Sequence, residues 1–397
     1  MSSLWTKNFI LACLANFLLY FAFYMLLPTL PLYLIETFQA QPGLVGTVLS
    51  SYIAAALIIR PFSGYLLDTF SRKPLYFLSY LFFVAIFAGY LAAGTLLAFT
   101  LFRILHGFTF GTVSVAGSTV VIDILPSSRR GEGLGYFGIT NNLAMAFGPM
   151  AGLLLNDATG SFSAIFLLSI VSGSLGIISV YFLRIEPRPK VKHPPLSLDR
   201  FFLLKGIPAC INIFLLGMPY AMMTTYVALY AQQLEIGSPS LFFTLLSAGL
   251  IGSRLFSGAR VDKGQLTPMI LLGISIVAVG YLLFSSLHWQ HAADFSLMKP
   301  LFFGSAFIFG MGYGTMFPAF TTLFVQLAHN HQRGTAMSTY LTGWDLGTSM
   351  GLLAGGFIAQ SMGYHVNYLV SVFLCLAAWL LFRFVTGPHF GKNKIAS

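Results

Sequence analysis

The feature that most constrains this chain is a succession of twelve apolar runs, most of them about 20 residues or longer, separated by short polar gaps. A run of that length crosses the hydrocarbon core as a helix, which satisfies its own backbone N–H and C=O groups where no water can. Charged or Pro/Gly-rich breaks put the runs at 8–35, 43–67, 74–94, 96–125, 131–156, 162–184, 201–232, 238–261, 267–286, 298–328, 333–360 and 364–386. Only 8% of the residues are charged, against roughly a quarter in soluble proteins. Too little polar side chain remains to cover a water-facing surface, and the reading is an all-α polytopic membrane protein of twelve transmembrane helices.

The few charges then set orientation. Lys7, Arg72 and Lys73, Arg129 and Arg130, the stretch from Arg184 to Lys205, Arg260 and Lys263, Arg333, and Lys392 with Lys394 all fall on one side of the alternating loops. The other side holds Glu36, Asp157, Glu235, Asp294 and the single clear cation Lys299. Cytoplasmic loops collect Lys and Arg, so both termini are expected in the cytoplasm of a bacterial inner membrane. The net charge of +10 reports topology, with no nucleic-acid partner implied. The amino-terminal apolar run carries no small-residue cleavage site and reads as a first span. Cys13, Cys210 and Cys375 all lie within apolar runs, without disulfide or zinc spacing.

The polar, proline-bearing stretch 186–200 separates residues 1–185 from 201–397, six runs on each side, and the two sides repeat. Arg60, Phe62, Ser63, Gly64 and Asp68 recur as Arg254, Phe256, Ser257, Gly258 and Asp262. Asn16 and Tyr24 match Asn212 and Tyr220, and Gly107, Gly111, Arg130, Gly131, Gly148 and Gly152 match Gly310, Gly314, Arg333, Gly334, Gly351 and Gly355. The offset grows between these sets, and the long ninth-to-tenth loop around His288 to Lys299 is the expected place of the insertion. Duplicated six-helix bundles are a transporter architecture, with the solute cavity expected between them.

The second-to-third loop reads Gly64-Tyr-Leu-Leu-Asp68-Thr-Phe-Ser-Arg72-Lys73. Here the chain resembles the major facilitator superfamily, with Thr69 where the family has a basic residue and Ser71 where it has Gly. Gly64 permits close helix approach, and Asp68 suits a helix amino terminus. The resemblance implies a cytoplasmic latch in which Arg72 joins Asp123 at the end of the fourth span. The fourth span carries Arg103-Ile-Leu-His106-Gly107, similar to the family's second motif, whose Arg is linked with proton transfer. An Arg at that depth faces a cavity or partner, or else snorkels to the outer interface.

The fifth span places Gly135, Ala144, Gly148, Pro149, Ala151 and Gly152 at spacings that resemble the antiporter motif of the superfamily, with Ala144 and Ala151 replacing two of its glycines. Small residues four apart let helices approach and Pro149 lets one bend. Pro28 and Pro31 near the end of the first span are similar to the proline pair of twelve-helix drug exporters. Within the superfamily the chain thus most resembles the drug:proton antiporter family. Its members often carry an acidic residue in the first span, whereas here only Glu36 lies near its outer end.

A proton-driven carrier needs a titratable group at depth, and Asp345 is the one carboxylate well inside a run, about midway through the eleventh. Asn142 occupies the matching place in the fifth. Asp345 with Arg103 is the expected proton-coupling pair, with a salt-bridged structural Asp345 as the alternative. Family architecture implies a cavity lined by the first, fourth, seventh and tenth helices; Asn16, Tyr20 and Tyr24 share one face of the first, Asn212, Tyr220 and Thr224 one face of the seventh, and Trp344 adjoins Asp345. No Walker loop, nucleophile elbow or zinc-protease motif occurs, so neither cofactor, metal nor enzymatic activity is expected. The expected function is proton-coupled efflux of an amphipathic or small organic solute by a monomer. The alternatives are uptake of a sugar, peptide or organic acid, and more remotely a receptor or enzyme on the same scaffold.

Overall fold

A computed structural model describes residues 4–126, 129–185, 202–237, 239–262, 264–293, 295–328 and 333–395, so the segment 186–200 lies outside the described residues. Their regular structure is entirely helical: α1 Lys7–Phe38, α2 Pro42–Thr69, α3 Arg72–Ala92, α4 Leu96–Ile124, α5 Arg130–Thr159, α6 Phe162–Phe182, α7 Ile207–Gln233, α8 Pro239–Asp262, α9 Leu266–Ala293, α10 Phe295–Gln326, α11 Arg333–Met362, α12 Tyr364–Leu381 and α13 Gly387–Asn393. Among the described residues nine helices are long and apolar enough to cross a membrane. The fold is the helical membrane fold read from the sequence.

The helix ends follow local chemistry. Thr6 and Thr95 cap α1 and α4, their hydroxyls accepting from the backbone N–H of Phe9 and Ala98, both at 3.2 Å. Gly160 closes α5 at φ 61° and Gly363 follows α11 at φ 90°, left-handed positions that favour glycine. The expected loop from His288 to Lys299 is largely helical. α9 continues through Ala293 and α10 begins at Phe295, because the residues from Leu287 to Ala293 include neither Gly nor Pro and the helical hydrogen bonds carry on beyond the apolar run. A π-helical turn, Phe382–Thr386, joins α12 to α13.

The contacts divide the chain into two compact units, Met1–Gln39 with Ser51–Pro194, and Ala40–Ser50 with Pro195–Ser397. In the first, α1 packs on α4, α5 and α6, and α3 on α4 and α6. In the second, α7 packs on α11 and α12, α9 on α10 and α12, and α8 on α10. The start of α2 belongs to the second unit, where the Gly43 N–H donates to Gln360 Oε1 at 3.0 Å and Gly46 lies against Leu352 and Gly356.

Repeated glycines set these contacts. A Cβ at Gly107 or Gly111 would overlap α2 at Tyr52 or Ala56, and one at Gly310 or Gly314 would overlap α8 at Leu246 or at Leu250 and Ser253. Gly148 and Gly152 meet Tyr24 and Met25 of α1, while Gly347 and Gly351 meet Phe214 and Met218 of α7. Without a hydrophobic drive between helices in lipid, such backbone approach is what gives association its dispersion energy.

Candidate functional site

Phe99, Arg103, His106 and Phe110 follow one another at helical spacing and form one buried face of α4. Arg103 is 3% exposed and His106 fully buried. Opposite them α3 presents Phe83, Phe87 and Tyr90, all buried, and α2 presents Tyr52. The His106 ring lies 4.4 Å from that of Phe83 and 4.7 Å from that of Phe87, centre to centre. The guanidinium of Arg103 stands over the Tyr52 ring, 4.2 Å from its centroid, in cation–π contact.

Three polar groups are chained across α3 and α4. Arg103 Nη1 donates to Tyr90 Oη at 3.3 Å, and Tyr90 Oη lies 2.7 Å from His106 Nδ1. The guanidinium can only donate. Tyr90 Oη therefore accepts from Arg103 and shares one hydrogen bond with His106 Nδ1. Arg103 Nε, His106 Nε2 and Tyr52 Oη are buried without any hydrogen-bond partner. Arg103 forms no ion pair with a carboxylate among the described residues. Sequence reading singled out Arg103 but missed Tyr52, Tyr90 and His106. The three-residue step from Arg103 to His106 was the available signal, since it puts both side chains on one helix face.

The second unit has an aromatic cluster instead. Tyr220 of α7 stands edge-on to Tyr313 at 5.0 Å and 5.0 Å from Trp344, with Phe317 in T-shaped contact with Trp344 at 4.9 Å. Tyr281 donates to the Pro219 carbonyl at 2.7 Å and lies 2.8 Å from Tyr313 Oη, so Tyr313 donates to it. Tyr220 and Trp344 thus come together, joined by Tyr313 and Phe317, which sequence reasoning had not singled out.

The other residues are distributed as follows. Tyr20 is half-buried, stacks on Tyr24 at 6.1 Å and meets Phe110 edge-on at 5.4 Å. Asn16 donates to Thr140 Oγ1 at 2.8 Å, tying α1 to α5. Asn212 donates to the Ala378 carbonyl at 2.7 Å and accepts from Thr386 at 2.5 Å. Its side chain is used in packing α7 on α12, a place that sequence pattern could not distinguish from a cavity wall. Thr224 bonds back to the Tyr220 carbonyl at 2.9 Å. Asp345 is half-buried on α11, between the Gly343 and Gly347 contacts with α7. Arg72 and Asp123 form an ion pair, and Arg72 Nε also donates to the Leu67 carbonyl at 3.3 Å. Lys73 lies 5.9 Å from the Tyr181 ring centre. Pro149 is buried within α5 beside Gly148. The side chains of Asp68 and Asn142, and the surroundings of Gly64 and Gly135, lie outside the described residues. Among the described residues no three His, Cys, Asp or Glu side chains group to hold a metal ion.

Comparison with known proteins follows the same lines. The family model described as Major Facilitator Superfamily matches residues 12–351 and 292–396. A relative in Rahnella sp. (strain Y9602), called multidrug resistance protein MdtG, is 26% identical over 392 residues, covering 94% of this chain and 92% of its own. A solved structure of the nucleoside transporter NupG matches with a TM-score of 0.72 at 15% identity, over 95% of this chain and 99% of that one. A structure of the peptide transporter POT in complex with sulfate matches with a TM-score of 0.77 at 15% identity, over 98% and 96%.

Proposed function

The chain belongs to the major facilitator superfamily, a family of multi-pass membrane transporters, and from that premise we propose that it exports an amphipathic or small organic solute in exchange for protons, by alternating access. The observation that carries export is the α1–α5 seam, in which Gly148 and Gly152 bring α5 against the backbone of α1 at Tyr24 and Met25, with Pro149 between them. A seam of this kind keeps two helices in register while the proline leaves a bend point. The multidrug resistance name of a relative alignable over 94% of the chain supports the same direction.

Asp345 carries the proton in this reading. It is half-buried at the middle of α11, where a carboxyl group exchanges protons with whichever aqueous side is open. Arg103 acts through its charge and its hydrogen-bond donors. Tyr20, Tyr24, Tyr220 and Trp344 offer aromatic surface to the solute, and the Arg72–Asp123 pair steadies the cytoplasmic end of the first half, with both termini on that side.

The test uses everted membrane vesicles acidified by respiration, with a fluorescent reporter of the pH gradient. A transported solute collapses part of the gradient in wild-type vesicles and leaves it intact in Asp345→Asn vesicles. Solute accumulation driven by an inward proton gradient in right-side-out vesicles would establish uptake and overturn the export reading.

A further inference from the structure

The buried cluster on α2, α3 and α4 is built around one strong donor, Arg103. Arg103 offers five N–H groups and no acceptor, and its recorded polar contacts are one long hydrogen bond to Tyr90 Oη and the face of the Tyr52 ring. Its Nε is unmet, as are His106 Nε2 and Tyr52 Oη. A neutral hydroxyl and a ring quadrupole compensate a buried guanidinium only weakly, and a charge at membrane depth is retained where something else satisfies it. What would satisfy these three groups together is an acceptor with full negative charge. Charge-assisted bonds to a planar guanidinium are the strong ones, and they are frequently bidentate.

The surroundings say what else such a ligand carries. Tyr52, Phe23 and Phe110 form a triangle of aromatic rings, with Tyr52 stacked on Phe23 at 5.3 Å and tilted against Phe110 at 5.4 Å, and Phe23 stacked on Phe110 at 5.0 Å. Phe23 and Tyr20 on α1 are half-buried, whereas Arg103 behind them is covered. No hydrogen bond anchors the Tyr52 hydroxyl, so its ring can leave the guanidinium without breaking one. Displacement of that ring by a ligand would open Arg103 towards the half-buried Phe23 of α1, which stacks on Tyr52. The apolar body of a ligand would lie on Tyr20, Phe23 and Phe110, and its anionic head would reach Arg103.

We propose that Arg103, His106 and Tyr52 form the anion-binding end of a solute subsite, and that this transporter takes amphipathic organic anions such as sulfonates, carboxylates or phosphonates. The proposal rests on the transport reading above for its physiological meaning, but not on the direction of transport or on proton coupling. Tyr90 is a positioning residue, holding the His106 ring through its hydrogen bond to Nδ1.

Binding to the purified full-length protein in lipid nanodiscs tests it, read as thermal stabilisation and as quenching of tryptophan fluorescence. The probes are naphthalenesulfonate, the uncharged naphthalenesulfonamide and the cationic naphthyltrimethylammonium, which share one apolar body. Naphthalenesulfonate is expected to bind at least about tenfold more tightly than the other two. Arg103→Gln is expected to remove that preference. Arg103→Lys keeps the charge without the fork geometry and should retain a weaker preference, and Tyr52→Phe should lose several-fold in affinity. The exposed Lys299→Gln is the control and should bind as wild type.

Equal binding of the three probes, tighter binding of the cation, or no binding of naphthalenesulfonate overturns the proposal. So does an anion preference that persists in Arg103→Gln. Displacement of naphthalenesulfonate by equimolar inorganic phosphate would mean a resident inorganic anion and also overturn it. Should Arg103→Gln fail to yield folded protein, Arg103→Lys and Tyr52→Phe still decide the matter, because unchanged affinity in both contradicts it. Failure of proton exchange in everted vesicles would defeat the export reading while leaving this binding result standing, so the two are distinguishable.

Discussion

Helices α4 and α10 lay corresponding glycines on corresponding neighbours, Gly107 and Gly111 against Tyr52 and Ala56 of α2, Gly310 and Gly314 against Leu246 and Leu250 of α8. The same register carries opposite chemistry. Arg103 and His106 correspond to Ala306 and Phe309, Tyr52 to Leu246, and Tyr90 of α3 to Phe284 of α9. In the second half these positions join an uncharged aromatic core, with the Phe284 ring 5.6 Å from Phe309 and 4.6 Å from Tyr368. In the first half they make a buried cation with a hydrogen-bonded Tyr and His. The packing of this fold does not need the charge, since the other half is built without it. A buried guanidinium kept at one of two equivalent places is what the anion-binding role proposed for Arg103 requires.

Placing an arginine where the duplicate has none is the strongest way to break this comparison. Ala306→Arg would put a charge among Phe284, Phe309 and their neighbours without a Tyr90 or His106 to meet it. It should cost at least about 3 kcal/mol, seen as loss of monodisperse protein in detergent. Gly107→Val and Gly310→Val test the shared part: both press a branched side chain into a neighbouring backbone and should each destabilise by about 3 kcal/mol, to similar extents. A large effect in one and none in the other would undo the equivalence of α4 and α10.

Tyr281→Phe removes the hydroxyl bridging Pro219 and Tyr313, and should lower stability by about 1 kcal/mol, measured as midpoint shift in thermal unfolding. The smallest expected change in stability is that of Arg103→Gln. A buried charge compensated only by one long hydrogen bond and a ring face adds little stability that a neutral side chain cannot supply, so its midpoint should equal or exceed that of the wild type while transport is lost. A large drop in midpoint would make Arg103 structural.

The spans and glycine seams were legible in the sequence because lipid imposes them: apolar runs must be helical, and close helix pairs need small residues wherever backbones touch. The repeat made both plain twice. The extension of α9 past His288 was not legible, because hydropathy marks where lipid ends and not where a helix ends. Asn16 and Asn212 looked alike in the sequence, yet one bonds a hydroxyl on α5 and the other the backbone of α12; which face of a packed helix a polar residue occupies depends on its neighbours. The cluster around Arg103 is assembled from Tyr52, Tyr90, Arg103 and His106 on three helices, a meeting that spacing along the chain cannot express.

Exchange of solute for protons is the central claim, and reconstituted vesicles measure it most directly. Purified protein in proteoliposomes, with a pH-sensitive dye inside and a gradient of naphthalenesulfonate imposed in the absence of any pH difference, should move protons against the direction of the solute. That movement should vanish in Asp345→Asn. Protons travelling in the same direction as the solute, or proton movement unchanged in Asp345→Asn, would contradict the account.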